Sequence, residues 1–176
     1  ATGSPYGDYV NYLGIIPAEL MMLAFVFVSH HKLPSTKMNV IGLIFITLYS
    51  LCLGVAALFP CDFECRPITP TFSQTLHMLS AFVGYMCGII SIFILSLTSS
   101  RWTQKSTFKF VSSILAFICL YLVFSLSDQS IFVGLYQRSL DAIIYLWFIY
   151  FAYYLSQYLA DNPKNVSGDI RRLSRN

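Results

Sequence analysis

The stretch FPCDFECRPITPTFSQTLHMLSA, residues 59–81, concentrates side chains that could do chemistry. A carboxylate that orients an imidazole beside a hydroxyl is one way to activate a nucleophile, so Asp62, His77 and Ser80 are the candidate catalytic residues. His77 and Ser80 lie close to one helical turn apart and can share a face, whereas Asp62 has to reach His77 across a loop. The residues therefore allow a hydrolytic site without requiring one. The plainer interpretation of His77 is a hydrogen-bonded or solvated side chain at a helix start.

Cys61 and Cys65 lie in the same stretch, four positions apart. This separation is short enough for a disulfide if the segment turns, and unpaired thiols are the alternative. With Asp62, Glu64 and His77, the two sulfurs also form a mixed set of metal ligands. The C-x-x-x-C spacing has no second matching pair, and a metal would compete with the disulfide for the same sulfurs. We therefore expect the disulfide, and neither a metal site nor a cofactor.

Glu19 is the one acid within the first long apolar run, in the segment IIPAELMML. A charge at the centre of a membrane helix costs about 2.5–3.5 kcal/mol on insertion scales, so such residues usually face the bundle or a wet cavity. Pro17 leaves a carbonyl of the preceding turn without its usual donor and favours a kink there. Glu19 is thus either a ligand or proton site in the outer half of the bundle, or a protonated or paired side chain that only fixes packing.

The last apolar run and the residues before it supply further candidate binding groups. Gln137 and Arg138 precede this run, and Tyr150 and Tyr154 share one stripe of it with Tyr158. Core hydrogen bonding or lipid contact explains such tyrosines more simply than a substrate groove does. At the start of the run, Ser139 is expected to cap the helix and Asp141 to favour its positive N-terminal end, which assigns both a structural role.

The elements that must position these residues follow from composition. Of the 176 residues, 56% are hydrophobic and 11% are charged, whereas soluble domains carry about a quarter charged residues. Five apolar runs reach the roughly 20 residues that a membrane helix needs, at about 9–29, 38–59, 76–98, 107–126 and 139–160. None shows the two-residue alternation of a membrane barrel. The prediction is an all-α transmembrane bundle, one domain over residues 1–160, followed by a tail over residues 161–176.

Basic residues predict the orientation of this bundle, because they accumulate in cytoplasmic loops. Nine of the eleven lie in the first connector, the third connector and the tail, and only Arg66 and Arg138 lie in the other connectors. We therefore expect a plasma or inner membrane protein with a cytoplasmic C-terminus and the 59–71 connector outside. The positive groups are spread over three membrane-proximal segments, which gives no support for nucleic-acid binding.

A stripe of small residues runs along the third span. Ser80, Gly84 and Gly88 recur every four positions, which brings them onto one face and lets another helix approach closely. That helix can belong to this chain or to a partner. The stripe is therefore expected to be structural, and it also admits a membrane-protein partner or a second copy of the chain.

Three segments carry a resemblance to a known family. SPYGDYVNYLG, LFPCDFEC followed by LHMLSA, and VGLYQRSLDAIIYLWF occur in that order over nearly the whole chain. In this order and spacing they resemble the domain-of-unknown-function 998 family of bacterial and archaeal membrane proteins. The resemblance implies a six-helix protein, whose first helix would precede the start of this chain. The resemblance does not indicate an activity for the protein.

Two classes of function remain open. The first is a non-enzymatic membrane module that binds lipid or a membrane partner. The second is a membrane-embedded hydrolase that acts on a lipid-like substrate at the outer interface through Asp62, His77 and Ser80. In either case we expect the Arg138 guanidinium to pair with Asp62 or Glu64, because a carboxylate offers it a planar, bidentate partner. That pair would close a small polar pocket over His77 and Glu19.

Overall fold

The computed structural model describes residues 6–62, 65, 67–103, 105–126 and 131–162. Across these residues the chain is helical and contains no strand, which confirms the all-α prediction. Five helices are long and apolar enough to cross a membrane, and we name them in chain order: α1 Gly7–Lys32, α2 Lys37–Leu58, α3 Phe72–Arg101, α4 Ser106–Phe124 and α5 Val133–Asp161. The chain is therefore a multi-pass membrane protein by the length and composition of its helices.

Contacts between helices show that neighbours in sequence run antiparallel. Gly42 of α2 faces Leu95 of α3, whereas Gly84 near the start of α3 faces Leu53 near the end of α2. Helices α1 and α5 are also in contact and run parallel, since Glu19 contacts Tyr145 and the ring of Phe25 contacts a ring one and a half turns further along α5. The up-and-down order gives two ends. We call the end with the α2–α3 connector the disulfide end, and the end with the α1–α2 and α3–α4 connectors the basic end.

The first helix contains a wide turn. Residues Val10–Ile15 form a π-helix, in which the amide of Ile16 donates to the carbonyl of Asn11. Pro17 lies two residues after this segment. Proline has no amide hydrogen to donate to the carbonyl four residues earlier, and its ring crowds that carbonyl. A wider turn relieves this crowding, because it moves the backbone bonds to five-residue spacing. The wide turn also directs Asn11 and Ile15 towards the inside of the bundle, where both line a cavity.

The small residues of α3 are covered by α2. A methyl group added at Gly84 would lie 2.8 Å from Leu53 Cδ2, and one added at Gly88 would lie 2.8 Å from Tyr49 Cδ2. Ser80 is buried in the same face. Close helix approach at small residues is the expected use of such a stripe. At Gly84 and Gly88 the stripe is therefore covered from within the chain by α2.

Aromatic side chains fill the contact between α4 and α5. Trp147 is fully buried, stacks on Phe151 and donates from Nε1 to Ser112 Oγ at 2.8 Å. Phe108 of α4 lies 5.5 Å from the ring of Tyr150 and 5.1 Å from that of Tyr154, centroid to centroid. The two tyrosine hydroxyls are 3.4 Å apart. The tyrosine stripe thus packs against α4, in agreement with the simpler interpretation of its sequence.

The five predicted spans correspond to the five helices, but two helices begin at least one turn earlier than predicted. Helix α3 begins at Phe72, because Thr71 accepts the amide of Gln74 and caps it. Helix α5 begins at Val133, so Ser139 lies within it and is not its cap. The prediction that Asp141 lies in the first helical turn was accordingly wrong. Two further turns precede Asp141 and carry it inside the bundle.

Candidate functional site

The α2–α3 connector is folded back onto the start of α3. Cys61 and Cys65 form a disulfide with 5.1 Å between their Cα atoms, and Cys65 has a positive φ of 56°. Gln74 holds both sides of this small loop, because its Oε1 accepts the amide of Asp62 at 2.8 Å and its Nε2 donates to the Cys65 carbonyl at 3.3 Å. The loop is thereby fixed over the disulfide end of α3.

The Asp62 carboxylate is used within the same connector. Its two oxygens accept the amide and the hydroxyl of Thr71, at 3.0 and 2.8 Å. Within the described part of the chain, Arg138 is exposed and forms no ion pair with Asp62. The expected clamp is therefore absent for Asp62, and Glu64 lies outside the described residues. Thr71 outcompetes Arg138 because it is close in sequence and its amide is free at the helix start.

His77 and Ser80 do not form a catalytic arrangement with Asp62. The Nδ1 atom of His77 lies 2.7 Å from the carbonyl of Ala56 and 3.1 Å from that of Phe59. Carbonyls only accept hydrogen bonds, so Nδ1 carries the hydrogen and, in the neutral ring, Nε2 is an acceptor. The Ser80 hydroxyl donates to the carbonyl of Leu76 on its own helix. The imidazole is thus held by backbone carbonyls, and none of the described carboxyl groups orients it.

A cavity of about 80 Å³ lies between the helices at the disulfide end. Its apolar wall comes mainly from α2, and its polar groups come from α1, α3 and α5. The lining residues are Asn11, Ile15, Leu53, Ala56, Ala57, His77, Ala81, Tyr85, Gln137, Asp141 and Tyr145. Two of the sequence candidates, His77 and Gln137, are among them. The other candidates do not line the cavity, namely Glu19, Asp62, Ser80, Arg138, Tyr150 and Tyr154.

Two tyrosines of the cavity wall each bind a carboxyl group. Tyr85 donates from its hydroxyl to Asp141 Oδ1 at 2.7 Å, which links α3 to α5. Tyr145 donates to Glu19 Oε1 at 2.5 Å, which links α5 to α1. Because both hydroxyl hydrogens are used on carboxyl oxygens, both tyrosines offer lone pairs to the cavity. The wall therefore presents acceptors.

Glu19 lies behind Tyr145, in a second polar cluster that is more deeply buried. The Ser50 hydroxyl lies next to the Glu19 carboxyl, and the Tyr49 hydroxyl neighbours that of Tyr145. Yet Glu19 Oε2, Tyr49 Oη and Ser50 Oγ have no hydrogen-bond partner of good geometry among the described residues. These three side chains are 3%, 0% and 1% exposed. Buried polar atoms are nearly always satisfied, so three orphans at one place require an explanation.

Sequence reasoning found part of this site. It singled out Glu19, His77 and Gln137, but it missed Tyr85 and Asn11 and assigned Asp141 to a helix end. An available signal for Asp141 was the rule that an acid inside a membrane span faces the bundle interior. The predicted span begins six residues too late, at 139 instead of Val133, and so places Asp141 at the end of the span instead of inside it.

The lining residues indicate what the cavity can hold. Asp141 and the Nε2 of a neutral His77 accept hydrogen bonds, the amide groups of Asn11 and Gln137 both accept and donate, and none of the described lining residues is lysine or arginine. The described part of the chain also contains no group of three or more His, Cys, Asp or Glu side chains that could hold a metal ion. The chemistry of the wall therefore fits a small donor-rich, cationic group.

Comparison with known proteins gives a family and no activity. The family model described as "Protein of unknown function (DUF998)" matches residues 1–154. No curated protein and no solved structure matches the chain significantly.

Proposed function

Starting from the fact that this chain belongs to the DUF998 family, we propose that it is a non-enzymatic binding module of the membrane whose cavity takes the primary-amine headgroup of a lipid. The observation that carries this proposal is the direction of the hydrogen bonds around the cavity. Tyr85 and Tyr145 use their hydrogens on carboxyl groups, and His77 uses its Nδ1 hydrogen on backbone carbonyls. What these side chains leave for a ligand around Asp141 is a set of acceptors, beside the amide groups of Asn11 and Gln137, which can both accept and donate.

A primary ammonium group matches these acceptors. It carries a positive charge that the Asp141 carboxylate balances, and it has three N–H donors for oxygens and for His77 Nε2. A quaternary ammonium group has the charge but no N–H donor, and would leave the acceptors unsatisfied. An anionic headgroup would face the Asp141 carboxyl group without a described basic side chain in the wall. The proposal therefore favours ethanolamine-type lipids over choline-type and anionic lipids.

The size and the place of the cavity support a headgroup as the occupant. A volume of about 80 Å³ is below the 300–1,000 Å³ or so of pockets that enclose drug-sized ligands. A lipid would insert only its amine end and leave its chains along the helices. The lining residues lie near the start of α3 and α5, within a few turns of the membrane interface. On the distribution of basic residues, we assign this end to the outer leaflet.

The hydrolase hypothesis has less support. It requires Asp62 to orient His77 and Ser80 to be free for activation, whereas Thr71 holds Asp62 and the Ser80 hydroxyl is bonded to its own helix. His77 remains available as an acceptor from its Nε2 side. Its simplest use is to bind a ligand donor.

Thermal stability in detergent tests the proposal. The purified protein is mixed with short-chain phosphatidylethanolamine, phosphatidylcholine or phosphatidylglycerol at equal concentration, and the unfolding midpoint is measured for each. Phosphatidylethanolamine should raise the midpoint by several degrees more than the other two, because a ligand stabilises the state that it binds. Asp141→Asn should remove this preference.

Asp161→Asn is the matched control, since Asp161 is exposed at the opposite end of the same helix. It should keep the preference for phosphatidylethanolamine. If Asp141→Asn does not fold, Gln137→Ala takes its place and should weaken the preference. Equal shifts for the three lipids, a preference that survives at Asp141→Asn, or an undiminished preference at Gln137→Ala would refute the proposal.

A further inference from the structure

We infer that Glu19, Tyr49, Ser50 and Tyr145 form a binding site for one monovalent cation, sodium in the first instance, between α1, α2 and α5. This site is distinct from the headgroup cavity and does not depend on the proposed lipid. Three of its oxygens, Glu19 Oε2, Tyr49 Oη and Ser50 Oγ, are buried and unpartnered among the described residues. The fourth, Tyr145 Oη, donates to Glu19 Oε1 and keeps its lone pairs.

The arrangement calls for an occupant that supplies both a positive charge and contacts to several oxygens. A water molecule would satisfy the hydroxyl groups but leave the charge of a buried carboxylate unbalanced. A proton on Glu19 would balance that charge and could be donated to the neighbouring Ser50 hydroxyl, but it would leave Tyr49 Oη without a partner. A small cation does both at once, because it binds carboxylate and hydroxyl oxygens together.

The atoms that would coordinate the cation restrict which cation can bind. All four groups offer oxygen, which hard cations prefer over nitrogen or sulfur. Calcium takes six to eight oxygens and usually several carboxylates, and magnesium requires a near-octahedral shell. Here one carboxylate stands with three hydroxyl groups, and none of the described groups that neighbour Glu19 is basic. A single positive charge neutralises the site, which a membrane interior favours.

Tyr145 connects the two sites. Its side chain lines the headgroup cavity and also binds Glu19. A cation that enters from the disulfide end would therefore pass along the wall of the cavity before it reaches Glu19. Asp141 adds negative charge near this route, since its carboxyl group acts electrostatically on Glu19. The two carboxyl groups thus attract cations towards the same part of the bundle.

Direct binding of radioactive sodium to the purified protein tests the inference. At fixed pH and ionic strength, with the chloride salt of N-methyl-D-glucamine as replacement, we expect saturable binding of about one ²²Na⁺ per chain. Sodium should also raise the unfolding midpoint by several degrees relative to N-methyl-D-glucamine. Competition with potassium and lithium then ranks the monovalent cations.

Variants separate this site from the headgroup cavity. Glu19→Gln should abolish sodium binding, and Ser50→Ala, which removes one ligand oxygen with little change in volume, should weaken it several-fold. Asp141→Asn should keep a saturable sodium site even where it loses the lipid preference. Absence of saturable sodium binding to the folded wild-type protein overturns the inference. Water molecules would then be the partners of these oxygens. Unchanged sodium binding by folded Ser50→Ala and Glu19→Gln overturns it as well.

Discussion

The Tyr145 hydroxyl donates to Glu19 Oε1 at 2.5 Å and so joins two residues that are 126 positions apart in the chain. The bond ties the first helix to the last and closes the bundle, since α1 and α5 are otherwise only in limited contact. A buried carboxyl group that accepts such a bond depends on it, because the membrane interior offers no water as a substitute.

Tyr145→Phe removes this donor while it keeps the ring. We expect the folded state to lose about 1–3 kcal/mol, because the acceptor stays buried without a partner. The measurement is the thermal midpoint in detergent by intrinsic fluorescence. Tyr153→Phe is the control, as Tyr153 lies on the same helix with 55% of its surface exposed. Equal midpoints for the two variants would show that the Tyr145 bond adds nothing to stability.

Removal of the disulfide should destabilise the α2–α3 connector. For a loop of five residues, the entropy of closure corresponds to about 2 kcal/mol, which a Cys61→Ser, Cys65→Ser double variant would lose. Under reductant the wild-type midpoint should fall to that of the double variant. Mass spectrometry of the loop peptide should give a mass two hydrogens lighter before reduction. Alkylation of both thiols in protein never exposed to reductant would contradict the prediction.

Two glycines on facing helices should respond to alanine in opposite directions. At Gly84 the added methyl group meets Leu53 Cδ2 at 2.8 Å and Cys52 Cβ at 3.1 Å, so Gly84→Ala should cost about 1–3 kcal/mol through overpacking. At Gly54 nothing lies within 4 Å, so Gly54→Ala should stabilise α2 by roughly 0.5–1 kcal/mol. A thermal midpoint that rises in both variants would show that α2 and α3 are less closely packed here.

The proposed orientation is tested by thiol labelling in intact cells. In a variant without native cysteines, Thr69→Cys should react with a membrane-impermeant maleimide, whereas Asn162→Cys should not. Both positions are exposed, at the disulfide end and the basic end respectively. The expectation rests on the excess of basic residues at the connectors and tail of the basic end. Labelling of Asn162→Cys in place of Thr69→Cys would reverse the orientation.

The architecture could be predicted from the sequence because it depends on one-dimensional quantities. The length of each apolar run decides whether a helix can cross a membrane, and all five runs correspond to helices of the structure. Similarly, the four-residue spacing of Ser80, Gly84 and Gly88 predicts close helix approach, which α2 provides. The disulfide followed from two cysteines in a short connector.

The site could be predicted only in part because it depends on how helices are rotated against each other. Tyr85 and Asp141 are 56 positions apart, and nothing in either segment alone indicates that they bond. The sequence analysis predicted hydrogen-bond partners within one stretch of chain, and so grouped Asp62 with His77 and Ser80. In the structure, local backbone and hydroxyl groups satisfy these three side chains, and polar groups from separate helices meet in the cavity.

The π-helix Val10–Ile15 makes the length of that segment more important than its composition. Each residue of an α-helix turns the chain by about 100°, and a π turn holds one residue more than an α turn. A one-residue deletion in this segment would let it form a regular α-helix. The residues before the deletion would then be rotated by about 100° about the helix axis relative to the rest of α1. Asn11 would then leave the cavity wall, although the neighbouring residues would be unchanged in type. Substitutions that preserve the residue count should be tolerated here far better than any insertion or deletion.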